Sequence, residues 1–230
     1  MKFVTQDDVL KVFGLEVDRL RMELADLAEP EWDLPTGCPP WRVRDLLAHV
    51  RVAIAWLPGM LAVPEAERAE VSAVAYYRPD ARFDLETNAR RIALAQSHAN
   101  SMIDGASLLA EFTATGQEAI RRCREQAEGR VVRTRHGDAM LLSDFLLTRV
   151  VEVAVHGIDL ALALGRDPWL TPEAADLVTE LLLGPATEPA LEQMNWSKLQ
   201  FICRATGRTP ISVQEGERVN RLGVHWLTLG

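Results

Sequence analysis

The sequence predicts an all-α protein organised as a four-helix bundle. Apolar residues recur at mixed spacings of three and four over several long stretches, a pattern typical of amphipathic helices. Four of these stretches are long enough to build a bundle, and long connections separate them. A short alternating run before the fourth stretch predicts a small β-hairpin. With 230 residues, 48% of them hydrophobic, the chain can bury a sizeable core.

The first two helices are predicted over residues 7–27 and 41–57. The dipeptide Pro39-Pro40 stands directly before the second helix, where the first turn needs no backbone donors. Pro58-Gly59 is predicted to end that helix. Residues 60–83 mix proline, glycine, small and charged residues, so we expect a long connection with room for one short helix.

The third helix is predicted over residues 85–112, and Gly105 allows a break inside it. Residues 117–127 are predicted to form a separate helical piece. The alternating run at 131–141 predicts a β-hairpin whose turn is the His-Gly-Asp sequence at residues 136–138.

The fourth helix is predicted over residues 143–164, with Gly165 as its C-terminal cap. Thr171 and Pro172 then open another helix that should run to about Leu183. The helix over residues 143–164, together with the three preceding helices, completes the predicted bundle.

A loose boundary is predicted at residues 185–193, which contain two prolines and several small residues. We therefore divide the chain into a metal-binding helical bundle, residues 1–185, and a short helical C-terminal tail, residues 186–230. The tail is predicted to hold short helices at 196–205 and 213–222.

Charge and composition restrict the classes of partner. The formal net charge is −8 and no basic stripe is present, which argues against nucleic acid as the partner. The longest uncharged apolar run, residues 52–64, is too short to cross a membrane. No signal-peptide pattern opens the chain, and its three cysteines are scattered, so we expect a cytoplasmic protein with reduced thiols. We expect it to act on small molecules as a monomer or small homo-oligomer.

A polar stripe on the fourth helix is the strongest indication of function. Glu152 and His156 are four residues apart, so both side chains lie on one face of the helix and can share a metal ion. His49, inside the apolar second helix, is a third candidate ligand. Two histidines and one carboxylate leave coordination positions open, as in catalytic rather than structural metal sites.

Three charged residues near these ligands have two interpretations each. Arg149 and Asp159 lie about one turn before Glu152 and one turn after His156, so either could orient a ligand, or the two could form a plain ion pair. Asp45 lies one turn before His49 and could steady that imidazole. Alternatively, its carboxylate is simply favoured in the first turn of a helix.

Three further residues are candidates for binding substrate. Tyr76 and Arg78 lie in the long connection, where they could form the mouth of a pocket or cover apolar surface. Arg208, in a Gly-Arg turn of the tail, could meet an anionic ligand or cap a helix. Residues that act directly in catalysis cannot be assigned from the sequence.

Three segments, at residues 38–49, 149–160 and 205–210, resemble the mycothiol-dependent maleylpyruvate isomerase family of DinB-like proteins. The resemblance implies a DinB-like four-helix bundle that holds a divalent metal, typically zinc. It places the metal ligands on His49, Glu152 and His156. It also implies that mycothiol, a low-molecular-weight thiol, binds the open metal position as a cosubstrate.

The leading functional hypothesis is therefore a metal-dependent thiol transferase or isomerase that uses mycothiol against a small electrophile. Transfer of the thiol to an electrophile other than maleylpyruvate remains open, because the tail is short for a substrate-binding domain. One alternative is a hydrolase in which the metal activates water. A non-enzymatic metal- or ligand-binding module, or a bundle without metal, are the others.

Overall fold

The computed structural model describes residues 5–78, 84–184 and 187–222, and most of them are helical. One turn of 3₁₀ helix lies at Glu29–Asp33. Strands β1 (Val131–Arg133) and β2 (Ala139–Leu141) form an antiparallel hairpin, with Val132 opposite Met140. In chain order the α-helices of these residues are α1 (Gln6–Leu24), α2 (Val43–Leu61), α3 (Ala73–Tyr76), α4 (Leu85–Ser101), α5 (Gly105–Arg124), α6 (Leu142–Ala163), α7 (Pro172–Leu183), α8 (Thr187–Met194), α9 (Lys198–Ala205) and α10 (Val213–Arg221).

The bundle consists of α1, α2, α5 and α6, and α4 packs against α2. The predicted all-α fold with a short hairpin before the fourth helix is confirmed. Helix α6 is buried on almost every side. Its buried residues include four polar ones, Thr148, Arg149, His156 and Asp159. Because a buried polar group is costly without a partner, these side chains must be paired inside the protein.

The predicted third helix, residues 85–112, is wrong as a single helix. The chain leaves the helical conformation at Met102, and the Asp104 carboxylate accepts a hydrogen bond from the Ser107 backbone at 2.7 Å, which starts α5. Gly105 lies directly against the ring of the buried Trp32. The separate piece predicted at residues 117–127 is the continuation of α5, so α5 rather than α4 completes the bundle.

The second helix runs through Pro58 instead of stopping before it. Pro58 removes one backbone hydrogen bond, but Leu57 and Met60 on either side of it are buried, and their packing holds the last turn. The fourth helix ends as predicted. Gly165 follows α6 with φ at +64°, a conformation that glycine adopts without strain, and its N–H donates to the Leu162 carbonyl.

The segment predicted as a loose boundary, 185–193, contains helix α8, which turns Ala190, Leu191 and Met194 into the interior. The predicted domain boundary at residues 185 and 186 lies outside the described residues and stays a prediction. Phe201 and Ile202 of α9 are fully buried within the same hydrophobic core as the bundle. None of the helices in the described ranges is long and apolar enough to span a bilayer.

Candidate metal centre

Helices α2 and α6 bring together the three side chains predicted as ligands. His49 Nε2 and His156 Nε2 each lie 3.5 Å from Oε2 of Glu152. One ligand atom from each residue lies within 4.8 Å of the other two. The two histidines are buried and Glu152 is half-buried. Three donors thus converge from two helices that are about a hundred residues apart in sequence.

The donor set and its spacing fit a divalent metal such as zinc. Zinc binds histidine nitrogen and carboxylate oxygen at about 2.0–2.2 Å, so two ligands of a tetrahedral ion lie roughly 3.4 Å apart. The two nitrogen-to-oxygen distances of 3.5 Å agree with this value. Since three protein ligands leave at least one position of a tetrahedral ion open, the arrangement has the form of a catalytic site.

The electrostatics of the cluster favour a cation. Burial lowers the pKa of His49 to about 4, so its imidazole is neutral and able to act as a ligand near pH 7. Burial opposes ionisation of Glu152, but His156, His49 and Arg149 outweigh it and hold the pKa of this carboxyl well below its usual range. Burial also opposes a charge on His156, yet contacts led by Asp159 raise its pKa well above the ordinary value. The cluster therefore attracts positive charge.

Asp159 fixes the orientation of His156. The Nδ1–H of His156 donates to Oδ2 of Asp159 at 2.9 Å, because a carboxylate can only accept. With Nδ1 occupied by Asp159, Nε2 is the ring nitrogen that faces Glu152, and it is the one that would bind a metal after losing its proton. Arg208 in turn holds Asp159 with two hydrogen bonds, from Nε to Oδ1 at 2.9 Å and from Nη2 to Oδ2 at 2.8 Å. The tail thus supports a ligand of the candidate centre through two successive contacts.

A second trio, Cys38, His156 and Asp159, also has metal-ligand spacing. The Cys38 thiol donates to Oδ2 of Asp159 at 3.3 Å. However, both oxygens of Asp159 are already paired with the Arg208 guanidinium, which would repel a metal cation. We therefore interpret this trio as a group that positions His156, and not as a second metal site.

Arg149 contacts Glu152 and does not pair with Asp159. Its Nη2 lies 3.6 Å from Oε1 of Glu152, and Nη1 donates to the Ala53 carbonyl at 3.2 Å. Its guanidinium also lies over the Phe145 ring, 4.8 Å from the centroid. Of the two interpretations from the sequence, the geometry matches the one in which Arg149 supports a ligand.

The other candidates lie at different distances from the cluster. Asp45 accepts hydrogen bonds from the backbone and side chain of Arg42 at the start of α2, which matches the helix-start interpretation and not support of His49. Tyr76 is buried and interacts electrostatically with Arg149. Arg78 is exposed just after α3, and its Nε donates to the Ala75 carbonyl of that helix.

Sequence reasoning missed one contact of this site and left another undecided. Trp41 stacks on the His49 ring with centroids 4.6 Å apart. The thiol of Cys38 reaches Asp159. Both belong to the segment just before α2, where no helical periodicity relates Trp41 to His49, eight positions further on.

Comparison with known proteins identifies the family of this chain. Residues 13–161 match the family model described as the mycothiol maleylpyruvate isomerase N-terminal domain. This span contains the three candidate ligands and Asp159, and it ends before Arg208. A comparison with curated protein sequences gave no match.

Two solved structures have a similar fold. One is a histidine-to-alanine mutant of the mycothiol-dependent maleylpyruvate isomerase, with 17% identity and a TM-score of 0.55. The other is the mycothiol-dependent maleylpyruvate isomerase itself, with 17% identity and a TM-score of 0.51. Each alignment covers 82% of this chain and 72% of the other. Those relatives are enzymes, and since the family model matches more than half of this chain, the chain belongs to the mycothiol maleylpyruvate isomerase N-terminal domain family.

Proposed function

We propose that this protein is a metal-dependent isomerase or transferase that uses mycothiol as cosubstrate against a small electrophile. One observation carries the proposal: Oε2 of Glu152 lies 3.5 Å from Nε2 of both His49 and His156. These three residues would hold a divalent metal, with zinc as the first candidate, and would leave room for one more ligand. The family match supports the choice of a thiol for that ligand.

The positive charge of such a metal would favour the ionised form of a thiol. A free thiol with a pKa of about 8.5 is only a few per cent ionised at neutral pH. Complete ionisation raises the thiolate concentration about thirtyfold, which corresponds to about 2 kcal/mol. Since a thiolate of lowered pKa is also a weaker nucleophile, most of the acceleration has to come from placing the electrophile beside the sulfur.

A cleft beside the centre offers a place for small molecules. It has a volume of about 430 Å³, within the range of small-molecule sites. Its wall includes Trp41 and Asp159, the residues that contact His49 and His156. The polar part of the wall also includes Cys38, Asn88, Arg91, Thr206 and Arg208. The cleft therefore reaches the cluster through the residues that orient its two imidazoles.

For an electrophile with a cis double bond conjugated to a carbonyl group, the proposed isomerisation has three steps. The thiolate sulfur forms a bond to one alkene carbon, and the alkene electron pair moves towards the carbonyl oxygen. The former double bond is then single and rotates. Return of the electron pair breaks the carbon–sulfur bond, which restores the thiolate and leaves the trans alkene. Maleylpyruvate is the first substrate to test, because it is named for the solved relatives.

The test is turnover of maleylpyruvate by the purified, metal-loaded protein with and without mycothiol. We expect isomerisation that needs both the metal and the thiol. Other electrophiles, with formation of a thiol adduct as the readout, would distinguish transfer from isomerisation. Thiol-independent cleavage of esters or amides that is lost in His49→Ala would instead support a metal-activated hydrolase. A protein that purifies without metal and ignores the thiol would contradict the proposal. Its location in the cytoplasm stays a prediction.

Asp159→Asn is expected to weaken metal binding by about 10- to 100-fold, the usual effect of removing a partner that orients a histidine ligand. The amide lacks the charge that favours the Nδ1–H of His156 and loses its ion pair with Arg208. Zinc affinity can be measured by competition with a chromogenic chelator. Asp176→Asn removes an aspartate that pairs with Lys198 far from the cluster and is the matched control. Equal zinc affinity in Asp159→Asn and the control would contradict the proposed role.

A further inference from the structure

Trp41 makes ring contacts with both histidines of the cluster. Its ring stacks on the His49 ring, with the two planes 26° apart and the centroids 4.6 Å apart. It meets the His156 ring edge-on, at 6.3 Å between centroids, and the two imidazoles are edge to face at 5.1 Å. Among the described residues, no other aromatic side chain contacts both imidazoles. The three rings therefore form one packed group, with Trp41 on the wall of the cleft beside the centre.

The two histidines differ in what holds them. His156 has the carboxylate of Asp159 on its second ring nitrogen. The hydrogen-bonding partner of His49 is Glu152, reached through Nε2, and no described residue pairs with its Nδ1. A metal-bound histidine usually has its second nitrogen held by a carboxylate or a carbonyl group. Since the described part of the protein offers no such group to His49, the plane of this imidazole is fixed by packing, and the stack on Trp41 is the contact that restricts it.

The backbone holds Trp41 firmly in front of His49. Its N–H donates to the Cys38 carbonyl at 3.0 Å, and its own carbonyl accepts from the N–H of Thr36 at 3.0 Å and from Oγ1 of Thr36 at 2.8 Å. The side chain is only 5% exposed. A ring fixed in this way presents a rigid flat surface to the imidazole.

The indole nitrogen of Trp41 does not account for its presence. Nε1 is buried and has no hydrogen-bond partner within the described ranges. A buried indole N–H usually finds a partner, and leaving it unpaired costs stability. The position therefore favours tryptophan for its aromatic face and not for its polar atom.

The aromatic face of Trp41 is suited to a charged imidazole. A metal ion at the candidate centre would place part of its positive charge on the His49 ring. Tryptophan has the most favourable face for a cation, and the attraction acts within about 6 Å of the ring centroid. The stack at 4.6 Å lies inside this limit. Because the attraction is stronger with the metal bound than without it, it contributes to metal affinity and not only to folding.

We propose that Trp41 is a positioning residue that raises metal affinity at the candidate centre. Its ring holds the imidazole of His49 in the orientation that binds metal and stabilises the charge that the metal places there. Trp41 thus does for His49 what Asp159 does for His156, with an aromatic face in place of a carboxylate. This inference rests on the metal site of the proposed function, but it requires neither the thiol nor the electrophile.

The experiment is a measurement of zinc affinity, by competition with a chromogenic chelator, in a series of Trp41 variants. Trp41→Leu and Trp41→Met are expected to bind zinc about three- to tenfold more weakly, the range that one aromatic pair contributes. Trp41→Phe keeps a flat ring with a weaker face, so its loss is expected to be smaller than about threefold. If Trp41→Leu does not fold, Trp41→Met takes its place, because the flexible methionine side chain fills irregular space.

Trp56→Leu is the matched control for the series. Trp56 lies on α2 like His49, but it is 41% exposed and stacks on neither imidazole. This variant is expected to bind zinc as the unaltered protein does. Melting temperatures of all variants show which of them have lost stability, so that a loss of zinc affinity can be compared at equal stability.

Tryptophan fluorescence provides a readout that a role in core packing alone would not affect. Charge on a stacked imidazole alters the emission of the indole, so zinc is expected to change the emission of the unaltered protein. The chain has six tryptophans, and Trp56→Phe is expected to keep this change. Trp41→Phe is expected to lose it although it still binds zinc.

The results separate this inference from the proposed function. Equal zinc affinity in Trp41→Leu, Trp41→Met and the unaltered protein would overturn the role of Trp41 and leave the proposed function intact. An equal loss of affinity in Trp56→Leu, or an emission change that persists in Trp41→Phe, would do the same. The expected differences in zinc affinity without any thiol-dependent turnover would support the role of Trp41 and contradict the proposed function. An unaltered protein that binds no divalent metal would contradict the metal site on which both depend.

Discussion

His156→Ala is expected to lower the affinity for zinc by more than about a hundredfold, beyond the range for residues that only support a ligand. The substitution removes one of three donors and also the group that Asp159 holds in place. Thiol-dependent turnover is expected to fall with the metal, since the ionised thiol depends on the same charge. Metal content by mass spectrometry under native conditions and turnover at saturating thiol measure the two effects separately.

His98→Ala is the matched control for this variant. His98 is also a partly buried histidine bonded to a carboxylate, Glu111, at 2.8 Å, but it lies on α4 outside the cluster. It should retain zinc and activity. If His156→Ala kept a full equivalent of zinc with unchanged affinity, the assignment of the centre to His49, Glu152 and His156 would be wrong.

Gly105→Ala is expected to destabilise the protein by about 3 kcal/mol, at the upper end of the range for overpacking a core. A Cβ at this position would come within 2.2 Å of ring atoms of Trp32, and the ring is almost completely buried, so it has little space to move. For a chain of this size the melting temperature should fall by roughly 6–12 °C. Thermal unfolding followed by circular dichroism measures this shift.

Gly59→Ala is expected not to destabilise the protein. A Cβ at Gly59 meets no atom within 4 Å, and the residue lies inside α2, where alanine is favoured over glycine by about 0.5–1 kcal/mol. Its melting temperature should therefore stay equal or rise. An unchanged melting temperature for Gly105→Ala would mean that the Trp32 ring can shift away from α5 at little cost in stability.

The sequence was sufficient to predict the candidate ligands because two of them obey a local rule. Residues four apart on a helix share a face wherever the helix lies, so Glu152 and His156 could be paired without any knowledge of the fold. His49 had no such rule: its place inside the apolar second helix made it a candidate, and the family resemblance supported the assignment. The structure brings its Nε2 to the same carboxylate oxygen as Nε2 of His156.

The predicted helix positions differ from the structure where tertiary packing outweighed the local preference of the sequence. A periodic apolar pattern continued across residues 102–104, but the chain breaks there. The Asp104 cap starts the new helix, and Gly105 fits against Trp32, 73 residues earlier in the chain. Likewise, the prolines at 185 and 189 suggested only a loose boundary, and no helix was predicted there. Burial of Leu191 and Met194 instead stabilises a short helix that tolerates Pro189 in its first turn.

The partner of Asp159 could not be predicted for a related reason. Arg208 is 49 residues further along the chain and lies in a turn, so no helical periodicity connects the two. The sequence singled out both residues as candidates but suggested different partners for them. Their pairing depends on how α9 docks on the bundle, which is decided by the burial of Phe201 and Ile202.

The contact from Arg208 through Asp159 to His156 makes docking of the tail and occupancy of the proposed centre thermodynamically linked. Linkage of this kind is reciprocal, so a cation that favours the supported orientation of His156 strengthens attachment of the tail by the same free energy. Sequence changes in the tail can therefore adjust affinity at the centre while all three ligands stay the same. We therefore expect the segment beyond the family-matched span to influence metal affinity at the proposed centre without contributing a ligand to it.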